Sequence, residues 1–460
     1  MCAFSAGSEE DWDVVSGRLV TTSVQSRGPA AADAAEVQAF LLSLGVALAM
    51  TGDSVSQIQD RLRAIAAGYG HSDIHVSLGP TLLMVRVNEG HTLGSRTIDS
   101  THQLRLDQAS EVIRVARSAE AAEVPPAEAA SRLERALRMK PRFGPSVTIA
   151  SYALLTLGLG FVIGPASGDF WWYLLLGGLV GAMSVLSERF GTGGPLLGLV
   201  AAAMVSAIAF LAQSGNETAS LRLAIPPLVT FLPGALLTIG TVDLAMGETI
   251  AGASRFVAGL LQLVLLAIAI VIGAEIVNNS HTGPIAGPAA QTAGTLTAWL
   301  GVAIFGIGIF VYNSAPKHSL PWLLVVLFSA WIGQLIGKQV IDPTLSGFVG
   351  AAIMVPVAHL VARARTAPPA HVMFLPAFWL LVPGTIGLIG VTEIVGRNSH
   401  VGAQNLAVAV ASIPSVALGI LVGTMIVRGG TIARHHRGSL DIRRQMLARG
   451  DPGDGRRRKR

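Results

Sequence analysis

Residues 225–244 read IPPLVTFLPGALLTIGTVDL. This stretch is apolar enough to enter a membrane, but Pro233-Gly234 interrupts it. A second stretch, 377–394, reads AFWLLVPGTIGLIGVTEI, and its Gly384 lies 150 residues after Gly234 (384 − 234 = 150). An internal repeat of this kind indicates that the last two-thirds of the chain consists of two related halves. Further pairs at the same offset are Ile239-Gly240 with Ile389-Gly390, Asp243 with Glu393, Gly252-Ala253 with Gly402-Ala403, Gly273 with Gly423 and Trp172 with Trp322.

The composition is that of an integral membrane protein. Hydrophobic residues make up 51% of the 460 residues and charged residues only 13%, whereas a soluble protein carries about a quarter charged residues. The net charge of +5 comes from basic residues at membrane flanks and in the tail. Membrane topology explains this charge, so no nucleic-acid partner is expected. The single cysteine, Cys2, excludes an intramolecular disulfide framework.

The region before the membrane part is predicted to be cytoplasmic, because no signal peptide is visible. Residues 1–32 are polar and without periodicity, so we expect them to be disordered. Residues 33–140 predict a small α+β domain. Its expected elements are a helix from Asp33, a second helix capped by Asp53, strands at 74–78 and 82–87, and helices at 104–121 and 126–139.

Several polar side chains of this domain are of types found in hydrolase triads and metal sites. They are Ser54, His71, Asp73, His75 and His91. Their spacing matches no known motif, and a site would require three of these groups to converge. We therefore interpret them as structural residues and expect no metal.

Ten apolar segments follow, each near the roughly 20 residues that cross a bilayer. Their approximate limits are 143–163, 170–187, 194–213, 223–242, 255–277, 292–312, 320–337, 342–362, 371–392 and 403–427. They form two predicted repeats of five helices, at 143–278 and 292–428, and a basic tail at 429–460 follows. Arginines before the first segment and the final RRRKR predict that both termini are cytoplasmic. A repeat with an odd number of spans inserts its second copy upside down, so the halves are predicted to be inverted repeats, as in many secondary transporters.

The two Pro-Gly positions are candidate substrate sites. Proline breaks a helix, and a half-helix that starts after the break directs N–H groups and its positive dipole end at the gap, where a carboxylate can bind. The predicted substrate-binding residues are Pro233, Gly234, Thr238, Thr241, Pro383, Gly384 and Thr385. The alternative is a kink adapted to lipid, with the threonines hydrogen-bonded to their own helix backbone.

Acidic residues in or at the ends of the apolar segments are candidates for ion coupling, because charges within a membrane are costly and usually functional. They are Asp243, Glu393, Glu275 and Glu248. Asp243 and Glu393 match in the repeat, nine residues after each Pro-Gly. The alternative is that these are loop carboxylates at helix ends. The sequence contains no GxxxxGK[ST], HExxH or GxSxG motif, so we expect no nucleotide cofactor and no enzyme activity.

The order of these parts resembles the threonine/serine exporter family of bacterial amino-acid efflux proteins. The resemblance covers residues 35–428 and is most specific in 226–259 (PPLVTFLPGALLTIGTVDLAMGETIAGASRFVAG) and 374–394 (FLPAFWLLVPGTIGLIGVTEI). It implies export of L-threonine and L-serine across the cytoplasmic membrane, coupled to protons. The second half is more divergent, because Asn398 stands at the offset of Glu248.

Two other functions remain open at this point. One is a membrane-anchored hydrolase that uses the N-terminal Ser/His/Asp set, and the other is a channel. The basic tail is expected to lie near anionic membrane lipid. Whether the chain forms a homo-oligomer is also left open.

Overall fold

The computed structural model describes residues 32–88, 92–98, 103–164, 170–190, 195–213, 217–277, 296–364, 366–381 and 407–427, with the single residues 388, 390, 404 and 429. The predicted lead-in up to residue 31 and the tail from 430 lie outside these ranges. So do the second Pro-Gly position and its neighbours, namely Pro383, Gly384, Thr385 and Glu393.

The N-terminal region folds around a three-stranded antiparallel sheet in the order β1-β2-β3. Its elements are α1 (Ala34–Ala49), α2 (Val55–Gly68), β1 (Ile74–Leu78), β2 (Leu82–Val87), β3 (Gly94–Thr97), α3 (Leu106–Glu120) and α4 (Pro126–Leu137). Strand β3 was not predicted, because its sequence GSRT has no apolar alternation and is held by pairing with β2. Leu83, Val85 and Val87 on one face of β2 are fully buried against the helices.

The described part of the chain after α4 is mainly helical and apolar. It comprises α5 (Pro145–Ile163), α6 (Phe170–Phe190), α7 (Pro195–Ala212), α8 (Glu217–Ala224), α9 (Gly234–Ala245), α10 (Thr249–Val277), α11 (Leu296–Tyr312), α12 (Leu320–Val340), α13 (Ser346–Val361), α14 (Ala370–Leu381) and α15 (Ala407–Val427). Among the described residues, six segments are long and apolar enough to span a membrane. The protein is therefore a multi-pass α-helical membrane protein, and the total of ten spans stays a prediction.

The helical structure is interrupted between α8 and α9, where three prolines lie close together in the sequence. A 3₁₀ turn at Pro226–Phe231 follows α8, Leu232 is extended, and α9 begins after Pro233. Each proline lacks the N–H that a continuous helix needs. Residues 223–242, predicted as one apolar segment, are thus divided by the interruption expected at Pro233-Gly234.

Helices α5 and α11 pack closely through glycines. A Cβ added at Gly158 would overlap the backbone of Phe305, and one added at Gly308 would overlap the backbone of Leu155. The two contacts are equivalent under the 150-residue offset of the repeat. Leu155 corresponds to Phe305 (155 + 150 = 305), and Gly158 corresponds to Gly308 (158 + 150 = 308). Gly301 contacts Phe161, so residue numbers rise along one helix as they fall along the other, and the helices are antiparallel.

Candidate functional site

Buried side chains satisfy the backbone at the break after α8. The hydroxyl of Tyr152, on α5, donates to the carbonyl of Pro227 at 2.8 Å and lies 2.6 Å from the hydroxyl of Thr230. Gln262 Nε2, on α10, donates to the carbonyl of Phe231 at 2.9 Å. Interrupted helices are tolerated at membrane depth when protein groups replace the lost hydrogen bonds in this way.

A cavity of about 270 Å³ opens beside this break. Its volume is close to the lower end of small-molecule sites, roughly 300–1,000 Å³. Its polar lining includes Thr148 on α5, Glu188 on α6, Thr230 in the 3₁₀ turn, Tyr312 and Asn313 at the end of α11, and Arg105 before α3. The cavity thus joins the broken segment to the N-terminal region.

The lining carries one charge of each sign and several hydroxyls. Arg105 forms an ion pair with Asp107 at 3.2 Å and donates to the carbonyl of Met139 at 2.8 Å. Glu188 is exposed. A zwitterion needs both a cationic and an anionic partner, and a hydroxylated side chain needs a hydrogen-bonding group. The cavity contains all three.

The predicted residues of the first Pro-Gly position lie apart from this lining. Pro233 and Gly234 are buried at the start of α9. The hydroxyl of Thr241 donates back to the carbonyl of Leu237 at 2.8 Å, which is the alternative anticipated for these threonines. Thr238 is fully buried, and among the described residues its hydroxyl has no hydrogen-bond partner. Thr230 was not among the predicted site residues, although it lies in the same stretch.

Asp243 joins the membrane helices to the N-terminal region. Its side chain is fully buried, Oδ1 accepts a hydrogen bond from the N–H of Val55 at 2.9 Å, and Oδ2 is paired with Arg255 Nη1. Val55 is the first residue of α2, so this carboxylate satisfies one of the free N–H groups at the start of that helix. Arg255 Nη1 also donates to the carbonyl of Asp53 at 3.5 Å.

The prediction that Asp53 caps α2 is wrong. Ser54 occupies the cap position and makes no side-chain cap bond, and Asp243 takes the role instead. Asp53 accepts a hydrogen bond from the Thr51 hydroxyl at 3.3 Å and lies 4.0 Å from Arg61. A local pattern cannot reveal a carboxylate that is distant in sequence.

Two glycines bring Asp243 and Arg255 together. A Cβ at Gly240 would lie 3.0 Å from the carbonyl oxygen of Gly252, and one at Gly252 would lie 2.8 Å from that of Gly240. Such close backbone approach is typical of small residues at membrane helix interfaces. It places the last turn of α9 against the first turns of α10.

The other predicted acids that the structure describes, Glu248 and Glu275, lie at opposite ends of α10. Glu248 is half-buried just before α10, and its N–H donates to the carbonyl of Asp243 at 2.9 Å. Glu275 is exposed near the far end of α10, about 40 Å along the helix axis from Glu248 at 1.5 Å per residue. Of these acids, only Glu248 therefore lies near Asp243 in the described structure.

The N-terminal histidines do not form a site within the described residues. His71 Nε2 contacts the carbonyl of Ala32 at 2.8 Å, and its Nδ1 lies 3.2 Å from Asn88 Nδ2. His75 Nδ1 lies 3.9 Å from Asp73 Oδ1. The described part of the chain contains no group of three potential metal ligands, and His91 lies outside that part.

The chain matches known proteins along most of its length. Residues 39–277 match the ThrE family model, described as "Putative threonine/serine exporter". A threonine/serine exporter of Corynebacterium glutamicum is 22% identical over 84% of this chain and 81% of its own length. The pheromone-regulated membrane protein 10 of Yarrowia lipolytica is 21% identical over 74% of this chain. The matched region covers only 28% of that longer protein.

No solved structure matches the chain. The family match covers more than half of the 460 residues. The chain therefore belongs to the threonine/serine exporter family, whose members export amino acids across membranes.

Proposed function

We propose that this amino-acid exporter carries L-threonine and L-serine out of the cytoplasm and is driven by the proton motive force. The observation that carries this proposal is the cavity beside the broken helix, with Arg105, Glu188 and Thr230 in its lining. The relative named a threonine/serine exporter supports the same substrates.

Recognition of the substrate follows from the charges of the cavity. Arg105, which also pairs with Asp107, is proposed to bind the carboxylate of the amino acid through its remaining N–H donors. Glu188 is proposed to bind the ammonium group, since charge-assisted hydrogen bonds are stronger than neutral ones. Thr230 hydrogen-bonds the substrate hydroxyl. The cavity of about 270 Å³ admits a small side chain and disfavours a large one.

The membrane part is proposed to consist of inverted repeats at 143–278 and 292–428. The exchanged contacts of Gly158 and Gly308 support this, because reciprocal contacts are the signature of a two-fold axis. Helices α6 and α12 also start 150 residues apart, at Phe170 and Leu320. Since α5 and α11 are antiparallel, a two-fold axis between them would lie in the membrane plane. Both termini are proposed to be cytoplasmic, because basic residues precede the first span and end the chain. In the second half, Pro383, Gly384 and Thr385 stay proposed substrate-binding residues.

The N-terminal region, residues 33–140, is proposed to gate the cytoplasmic mouth of this path. Arg105 and Leu106 line the cavity, and the N–H of Leu106 donates to the carbonyl of Asn313 at 3.1 Å. A displacement of α3 would therefore open or close the cavity.

Asp243 is proposed to couple proton movement to this gate. Protonation of the carboxylate would remove the charge that holds Arg255 and would weaken the bond to Val55. Glu248 lies near enough to influence this step, whereas Glu275 and Glu393 are proposed to act on the opposite side of the membrane.

Flux of labelled L-threonine into proteoliposomes, with and without an imposed pH gradient, tests the proposal. We expect saturable, gradient-driven flux in the wild type and about a tenfold rise in KM for Glu188→Gln, because a charge-assisted contact is lost. The control Glu134→Gln changes an exposed acid on α4, outside the cavity. Absence of L-threonine and L-serine flux in both conditions would remove the substrate assignment, and conductance without saturation would indicate a channel.

A further inference from the structure

We propose that the cleft between α3 and α4 binds a small phosphate-bearing anion, at a site separate from the transport cavity. The cleft encloses about 850 Å³. Four arginines line it, two from each helix: Arg114, Arg117, Arg132 and Arg135. The hydroxyl-bearing side chain of Ser118 also lines it.

Two of the arginines are already neutralised. Arg114 forms an ion pair with Glu111 at 2.9 Å, and Arg132 forms one with Glu128 at 2.7 Å. These pairs fix the walls of the cleft and leave little net charge on them. The positive character of the cleft therefore comes from the other two arginines.

Arg117 and Arg135 make no ion pair within the described structure. Arg135 Nε donates only to the carbonyl of Ser131, at 3.4 Å. Partial burial and then the like charge of Arg61 lower the pKa of Arg117, while Glu120 acts in the opposite direction. An anion bound to Arg117 in the cleft would offset this like charge.

Phosphate is the ligand chemistry that suits this arrangement. Guanidinium groups bind phosphate oxygens through paired N–H donors, and two such groups can share one tetrahedral anion. Glu123, which stands in the same lining and makes no ion pair within the described structure, would repel an extended polyanion. The cleft therefore selects a small ligand with concentrated negative charge.

The site is connected to the contact between the N-terminal region and the membrane helices. Arg61 lies 4.0 Å from Asp53, and the carbonyl of Asp53 accepts a hydrogen bond from Arg255, the partner of Asp243. Arg61 does not line the cleft, so a bound anion would act on its contact with Asp53 through the charge of Arg117. Occupancy of the cleft would thereby regulate the gate, although binding itself does not depend on the transported substrate.

Calorimetric titration of the full chain in uncharged detergent with inorganic pyrophosphate tests binding. We expect one saturable site per chain and at least about a tenfold loss of affinity for the double variant Arg117→Gln/Arg135→Gln, because charge-assisted bonds are removed. The single variant Arg135→Gln should show a smaller loss of affinity. Because Arg135 is exposed, this variant keeps the test valid if the double variant does not fold. The matched control Arg138→Gln removes an exposed arginine of the same region that pairs with Glu134 and does not line the cleft.

A second arm distinguishes a lipid headgroup from a free anion. The titration is repeated in nanodiscs with and without anionic phospholipid. If lipid headgroups occupy the cleft, anionic lipid weakens pyrophosphate binding to the wild type, whereas equal affinity in both nanodiscs identifies a free anion. The proposal is overturned if pyrophosphate does not bind saturably in detergent, or if Arg117→Gln/Arg135→Gln and Arg138→Gln bind it equally.

Discussion

The carboxylate of Asp243, at the end of α9, accepts a hydrogen bond from the backbone N–H of Val55, the first residue of α2. The two residues are 188 positions apart in the chain. A membrane helix thus supplies the N-terminal cap of a helix in the region that precedes it. Arg255 balances the charge of this buried acid.

The substitution Asp243→Asn tests the importance of this contact. Asparagine can still accept the bond from Val55, but Arg255 loses its partner. Removing one member of a buried ion pair costs about 3–5 kcal/mol, and the partial exposure of Arg255 lowers the expected loss in the free energy of unfolding to about 2–3 kcal/mol. Thermal unfolding in detergent measures it.

The double variant Asp243→Asn/Arg255→Gln is the internal control, because it removes both charges. We expect it to be more stable than Asp243→Asn alone, as coupling between paired residues predicts. The variant Glu248→Gln, which changes a neighbouring half-buried acid, should unfold as the wild type does. Equal losses for Asp243→Asn and Glu248→Gln would refute a specific role of the pair.

Thr230 and Thr241 lie in the same stretch, 225–244, but Thr230 lines the cavity and Thr241 does not. Thr230→Val should reduce the L-threonine flux and raise KM, because the hydroxyl lines the cavity and contacts Tyr152. Thr241→Val should leave KM unchanged, since within the described structure its hydroxyl bonds to its own helix and does not line the cavity. Loss of the Thr230 hydrogen bond should also cost about 1 kcal/mol of stability. The idea fails if the two valine variants transport alike.

The sequence predicted the helical membrane character and the break at Pro233, because hydropathy and the missing proline N–H act locally. It did not predict the contact of Asp243 with Val55, since that depends on how two regions pack. The same reason explains the wrong prediction for Asp53. Thr230 was overlooked because its importance depends on Tyr152, which only the fold brings near.

The reciprocal glycine contacts predict equal effects in the two halves. Gly158→Ala and Gly308→Ala each place a methyl group on the opposite backbone, and overpacking of this kind costs about 1–3 kcal/mol. Gly178→Ala on α6 meets no atom within 4 Å and serves as the control. Melting temperatures in detergent should fall for the first two variants only. A stable Gly308→Ala beside an unstable Gly158→Ala would argue against the two-fold relation.

Ala251 and Ala253, both near the start of α10, differ in their surroundings. Ala251 is buried in the hydrophobic core of the N-terminal region, whereas Ala253 is exposed. Ala251→Leu should force this region away from α10, because a well-packed core resists added methyl groups, and Ala253→Leu should not. We expect limited proteolysis to release an N-terminal fragment faster from Ala251→Leu, with L-threonine flux altered in parallel. If both leucine variants resist the protease as the wild type does, α10 does not fix the position of the N-terminal region, and gating by that region loses its physical basis.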